Sequence, residues 1–158
     1  MLRPATAADA DLLLDWANDP KTRAASVHRE PIERSTHLAW LAARLASDGC
    51  RIWIGTTPAG APVGVVRFER DTDGLATASI SVDAGQRGRG YGHALLEAGL
   101  AAARRELRPS GFRAWIRAEN AASIRLFEGL GFRRVESDAP GPDGVLEYRL
   151  EGGGPVGS

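Results

Sequence analysis

The sequence predicts an α/β fold of the α+β kind, built on one mixed, mostly antiparallel sheet flanked by about four helices. Three observations carry that expectation. Apolar residues recur at helical spacing through the first 45 residues, the period changes to two between residues 52 and 82, and helical and strand patterns then alternate to residue 150.

Thr6 followed by Asp9 is an acidic relative of the capping box, and Leu12, Leu13 and Trp16 continue it as a helix to about Asn18, where Pro20 stops it. Lys21 to Arg34 is polar without a clean period. Leu38, Leu41, Ala42 and Leu45 then predict a second helix, ended by Ser47-Asp48-Gly49. Ile52-Trp53-Ile54 and Val63 to Phe68 read as antiparallel strands joined across the turn residues 57–62. After Asp71-Thr72-Asp73-Gly74, Ala76, Ala78, Ile80 and Val82 alternate with Thr77, Ser79 and Ser81, which makes a strand with one apolar and one hydroxyl face. Tyr91 to Leu107 is helical, with Leu96, Leu100, Ala103 and Leu107 on one stripe and Gly99 inside it. Phe112 to Ala118 is a strand, Asn120 to Leu130 a short helix closed by Gly131, and Phe132 to Glu136 and Val145 to Leu150 are strands around the loop 140–144.

With 158 residues, 43% hydrophobic and 25% charged, the chain is expected to form a single domain over residues 1–150 with a flexible tail at 151–158. Its formal charge of zero argues against a protein that works by neutralising nucleic-acid phosphates or anionic lipid. All basic residues but Lys21 are arginine, which fits a GC-rich coding sequence better than a nucleic-acid footprint. Cys50, the single cysteine, excludes an internal disulfide and a cysteine-cluster zinc site, reads as a buried small hydrophobe, and makes a reducing cytoplasm the default compartment. Leu12-Leu13-Leu14 is neither a signal-peptide core nor a membrane span. Neither nucleic acid nor membrane is therefore an expected partner.

The most informative segment is Ser79 to Gly92, where a strand runs into Arg87-Gly88-Arg89-Gly90-Tyr91-Gly92 and opens a helix. Glycines permit close backbone approach, and the first N–H groups of a helix point outward unpaired, so such a junction suits phosphate. A P-loop is excluded because the chain has no Gly-Lys-Ser/Thr, and a dinucleotide fingerprint because His93 stands where its third glycine belongs.

Arg87 to Gly92 resembles the pyrophosphate loop, Gln/Arg-x-x-Gly-x-Gly/Ala, of the GNAT superfamily of acyl-CoA-dependent N-acetyltransferases. Downstream, Asn120 to Phe132 is similar to that family's Asn-led short helix ending in Gly-Phe. The resemblance covers residues 2–150. It implies the acyl-CoA N-acyltransferase fold, with the sheet splayed between its fourth and fifth strands, and acetyl-CoA as cosubstrate without a metal. It further implies that Ile80 and Val82 hold the pantetheine through their backbone, that Arg87, Gly88, Arg89, Gly90, Tyr91 and Gly92 hold the pyrophosphate, and that Asn120, Ser123 and Phe127 lie along the cofactor. Asn120 is also placed to cap its helix.

The chain departs from the family pattern at two positions. Ser79 stands where many members carry a glutamate base, and Phe127 where many carry a tyrosine acid. Proton handling is left to Ser79 or Ser81 through ordered water, or to Glu69 on the neighbouring strand, whose alternative is a solvent-facing charge. Trp16-Ala17-Asn18-Asp19-Pro20 with His37-x-x-Trp40 resembles the branch containing amino-sugar-nucleotide and ribosomal-protein N-acetyltransferases. Asn18, Asp19, His37 and Arg67 suit sugar and diphosphate oxygens, although Asn18-Asp19-Pro20 also makes a helix stop and His37 a backbone partner. The expected acceptor is a small-molecule amine such as an amino sugar or sugar nucleotide, used by a monomer or homodimer. The alternatives are a protein N-terminus and a non-catalytic acetyl-CoA-binding module.

Overall fold

The computed structural model describes residues 1–26, 28–136 and 144–152. Seven strands form one sheet in the order β1-β2-β3-β4-β5-β7-β6: β1 (Leu2–Pro4), β2 (Cys50–Thr56), β3 (Pro62–Arg70), β4 (Leu75–Val82), β5 (Gly111–Arg117), β6 (Arg133–Val135) and β7 (Val145–Glu151). Every pairing is antiparallel except β4 with β5. Among the described residues there are five α-helices: α1 (Ala10–Ala17), α2 (Pro20–Ala25), α3 (Arg34–Leu45), α4 (Tyr91–Leu107) and α5 (Ala121–Gly129).

The helix beyond the expected four is α2. Pro20 ends no helix here; it occupies the first turn of α2, where its missing N–H costs nothing, and the Asp19 side chain caps that helix by accepting from Thr22 N at 3.2 Å. None of its residues is buried, so no apolar period marks it. The strand β1 is likewise absent from the periodicity, because its three residues are too few to show one. The Thr6–Asp9 capping box does form, but around a 3-10 turn at Ala7–Asp9 that leads into α1. At the other end β7 continues through Glu151, the first residue of the expected tail. The expected loop 140–144 and the rest of the tail lie largely outside the described residues.

Two cores sandwich the sheet. On one face Val66, Phe68, Ala76 and Ala78 meet Leu96, Leu100, Ala103 and Leu107 of α4, all 4% exposed or less, and the cluster continues through Phe112, Phe127 and Phe132. Gly99 lets α4 settle this closely, since a Cβ there would lie 2.9 Å from Phe68 Cε2 and Val66 Cγ1. On the other face Leu13, Trp16 and Leu41 cover Cys50, Ile52 and Ile54. His37 on α3 is buried in that layer, with its Nε2 3.1 Å from the Ala10 carbonyl oxygen.

β4 and β5 pair over only three positions, Leu75↔Gly111 to Thr77↔Arg113. At the last of these the buried Arg113 guanidinium donates to Glu147 on β7 at 3.0 Å and to Asp71 and Asp73 of the β3–β4 turn at 2.9 and 2.5 Å. Asp71 also accepts from Thr77 Oγ1 at 2.6 Å. Burial opposes the Arg113 charge, but the hydrogen bonds to Asp73 and Glu147 outweigh it and raise its pKa. Beyond this cluster the two strands part.

Arg113→Met removes the partner that Asp71, Asp73 and Glu147 share and leaves Glu147 on Arg149, which pairs with it at 2.5 Å, and is expected to lower stability by about 1.5–3 kcal/mol in urea unfolding. His37 gives a second outcome. Burial holds its pKa below the ordinary 6.5, so the unfolded chain takes up the proton first. Its contribution is present in full above that value and is lost as pH falls below it. Unfolding free energies across pH 5–8 should decline on the acid side in the wild type and decline less in His37→Gln.

Candidate active site

Asp83 starts the loop after β4, with Oδ2 accepting from Gly85 N at 2.9 Å and Oδ1 accepting from Trp16 Nε1 of α1 at 2.7 Å. Gly88 and Gly90 follow at φ of 78° and 81°, a region that side chains rarely adopt. A Cβ built on either would meet nothing within 4 Å, so both glycines border open space. Gly90 is the N-cap of α4, and no side chain caps that helix. The positive end of its dipole therefore faces this space, beside exposed Arg89 and partly buried Tyr91 and Gly92. These features fit a diphosphate.

The pairing register decides which backbone groups of β4 are available. Asp83 N donates to Val63 O, so residues 83, 81, 79 and 77 turn their N–H and C=O toward β3, and residues 78, 80 and 82 turn theirs the other way. Past Thr77 that is the side from which β5 has departed. Ile80 and Val82 thus present backbone donors and acceptors to the parting between the strands. Gly92 closes this region from the helix side, near Val82 Cγ2 and Leu126. Asn120 caps α5 by accepting from Ser123 N at 3.2 Å, as expected of it. Phe127 is 3% exposed and packs edge-on to Phe132, so it belongs to the core more than to a cofactor surface.

On the opposite face of β4, Ser79 and Ser81 stand across from Arg67 and Val65 of β3. Ser79 Oγ accepts from Arg67 Nη2 at 3.2 Å, and the guanidinium lies 4.9 Å from the Trp40 ring centre. Glu69 makes no hydrogen bond to this group, although its charge acts on Arg67 two residues along the strand. It faces Thr77, where β4 and β5 are still joined, roughly 13 Å along the strand from the Ser81 position at about 3.3 Å per residue, and its carboxylate sits 3.3 Å from Arg44 Nε.

Three residues expected to meet the acceptor are used inside the protein. Asn18 bonds both backbone groups of Ile32, donating to its O at 2.9 Å and accepting from its N at 2.8 Å. His37 is buried on Ala10 and stacks on Trp40 at 5.8 Å. Asp19 accepts from Arg87 at 2.8 Å as well as capping α2, and the Arg87 hydrogen bond holds its carboxyl below the usual carboxylate range. Of the four, Arg67 alone keeps most of its donors unspent.

Periodicity had no means of finding the next group. Arg117, at the end of β5, donates through Nε to Ser26 O at 2.5 Å, and Arg29 pairs with Glu119 at 2.6 Å. Asp19 is therefore fastened to the loop after β4, through Arg87, and Ser26 and Arg29 to the end of β5 and the residues just after it. They span the mouth of the parting. The only signal in the sequence is a run of polar residues without a period.

The profile of the acetyltransferase (GNAT) domain matches residues 1–133. No curated protein matches the chain in sequence. Among solved structures, the ribosomal-protein-alanine N-acetyltransferase of Brucella melitensis is 26% identical with a TM-score of 0.78, covering 96% of this chain and 99% of that one. The yncA protein of Salmonella typhimurium, described as an acetyltransferase and solved with its cofactor acetyl-CoA, is 24% identical with a TM-score of 0.79, covering 96% and 92%. The spermidine N-acetyltransferase of Vibrio cholerae, in complex with CoA and spermine, is 17% identical with a TM-score of 0.80, covering 95% and 92%. With the domain profile spanning most of its length and the splayed sheet, glycine loop and uncapped helix in place, this chain belongs to the GNAT acetyltransferase family.

Proposed function

We propose that the protein transfers an acetyl group from acetyl-CoA to the primary amine of a small molecule, of the size of an amino sugar or sugar nucleotide, within a ternary complex. The observation that carries this reading is the backbone of Ile80 and Val82, turned into the parting beside the uncapped N-terminus of α4. Acetyl-CoA, when bound, supplies the acyl group as a thioester. Gly88, Gly90 and the N–H groups of Tyr91 and Gly92 take its diphosphate, with Arg89, and Arg87 when released from Asp19, adding charge. Ile80 and Val82 hold the pantetheine amides, and a backbone N–H there polarises the thioester carbonyl. The Asn120 amide and the Ser123 hydroxyl border the same cofactor.

Among the described residues no carboxylate hydrogen-bonds Ser79 or Ser81. Their hydroxyls pass the acceptor's proton to water, and the positive charge of Arg67 beside them disfavours the ammonium form of the incoming amine. Phe127 has no proton to give, so the thiolate takes its proton from water. The fastening of Asp19 and Ser26 to the two sides of the mouth favours a small acceptor over a folded protein's terminus. A protein N-terminus remains the second reading, favoured by the 26% identity to the ribosomal-protein-alanine enzyme.

Release of CoA thiol, followed with amino sugars, sugar nucleotides and peptide amines, tests the assignment. Thiol release with the small amines is the expected result; CoA binding without turnover on any amine would leave a binding module. Gly90→Asp puts a strained φ and a negative charge in the loop, and should weaken CoA binding about tenfold or more in calorimetry while the protein stays folded. Glu69→Gln should give a pH–rate profile that superimposes on the wild type, since Glu69 lies away from the reacting groups; a lost acid limb would restore it as the base.

A further inference from the structure

Arg67 is a charged group that the fold leaves unneutralised. Among the described residues it forms no ion pair within 4 Å, and of its five N–H donors the protein takes one, at Ser79 Oγ. Glu69 acts on Arg67 through space but pairs with Arg44 at 3.3 Å, and Cys50 is a buried thiol. Protein encloses the guanidinium on the Trp40 side at 4.9 Å, and burial lowers its pKa. Its remaining nitrogens have no partner and keep a little solvent contact, since among the described residues the one fully buried side-chain nitrogen or oxygen without a partner is Arg44 Nε. A cation that is enclosed, stacked and still open at its donor edge has its geometry set before any anion arrives. Keeping an uncompensated charge there costs stability, and a ligand that supplies the counter-charge offsets the cost.

The position of Arg67 connects this to the reaction. It faces Ser79 across the β3–β4 ladder, one residue from Ile80, on the strand whose free edge takes the cofactor. Other cations border the same mouth: Arg87 on Asp19, Arg117 on the Ser26 carbonyl and Arg29 on Glu119. Each of these is engaged by protein oxygens.

Resting on the acetyl-transfer reading above, we infer that the acceptor amine carries an oxyanion, a carboxylate or a phosphate, which Arg67 grips through two N–H groups with Trp40 behind the guanidinium plane. Arg67 is then a specificity residue that sets which amines are held with their nitrogen at Ser79 and Ser81. The binding chemistry is that of a planar fork meeting two oxygens, so lysine is a poor replacement.

The test compares matched acceptors on the wild-type protein: glucosamine 6-phosphate against glucosamine, and β-alanine against propylamine. A KM lower by roughly tenfold or more for the anionic member of a pair is expected. The first pair reports a phosphate source and the second a carboxylate source. Arg67→Gln should raise the KM of the preferred anionic acceptor to that of its neutral partner, with Arg67→Lys intermediate. A second readout is independent of turnover. Calorimetric titration of inorganic phosphate or propionate into CoA-saturated protein should show binding that Arg67→Gln loses, with thermal melts confirming that both variants fold. Equal KM values within both pairs, or preference for the neutral amines, would overturn the inference while leaving acetyl transfer standing. Absence of thiol release from every amine, with phosphate and propionate still bound through Arg67, would instead overturn the acetyl-transfer reading and with it the acceptor role of Arg67, leaving only its oxyanion site.

Discussion

Arg113 holds together three carboxylates from two parts of the chain, and the shape of the site depends on that cluster. Asp71 and Asp73 belong to the turn between β3 and β4, and Glu147 to β7. The guanidinium therefore clamps the two halves of the sheet at the point where parallel pairing ends. Only three residues of β4 pair with β5, too short a ladder to join β1–β4 to β5, β7 and β6 by itself. The helix α4 supplies the rest of the connection, lying on Val66 and Phe68 through Gly99 and reaching Phe112 with Arg104. A clamp at one end and a shared helix above allow the strands to separate at the other end without the sheet falling in two. The freed edge of β4 and the open start of α4 then lie side by side.

Arginine does much of the fastening elsewhere. Arg23 bonds the carbonyls of Ala17, His28 and Glu30, Arg117 the carbonyl of Ser26, and Arg87 the carboxylate of Asp19. These bonds hold α2 and its flanking residues Asp19 and Ser26, where no residue of α2 is buried, and so take the place of a core beneath that helix. Arg67 differs from its neighbours in being held by a ring and a hydroxyl with no carboxylate. Arginine thus serves the fold in several ways, tying loops to backbone oxygens and pairing with carboxylates, while Arg67 is half-buried without a carboxylate at hand.

The helix α4 was legible to the residue, because its stripe of Leu96, Leu100, Ala103 and Leu107 is long and all of it is buried. The alternation on β4 likewise placed Ser79 and Ser81 on one face and Ile80 on the other. Short or polar elements were not legible. β1 has three residues, and α2 is defined by a cap and a proline with no buried side chain, so Pro20 reads as a stop until the Asp19 cap is seen. Among site residues, the conformation of the glycines and the outward edge of Ile80 and Val82 follow from local pattern. The roles of Asn18, His37 and Glu69 do not, because each has a partner that no local pattern predicts.

By itself the sequence determined the order of the longer elements, the glycine junction between a strand and a helix, and the exclusion of P-loop and dinucleotide chemistry. These follow from local spacing and from the near absence of lysine. The tertiary structure decided which polar side chains are spent and which are open. Asp19 meets Arg87 across 68 residues of chain, Ser26 meets Arg117 across 91, and Arg67 is left with Trp40 and Ser79. Whether a charged group is neutralised depends on what the fold brings within about 4 Å of it, at separations where sequence periodicity carries no information.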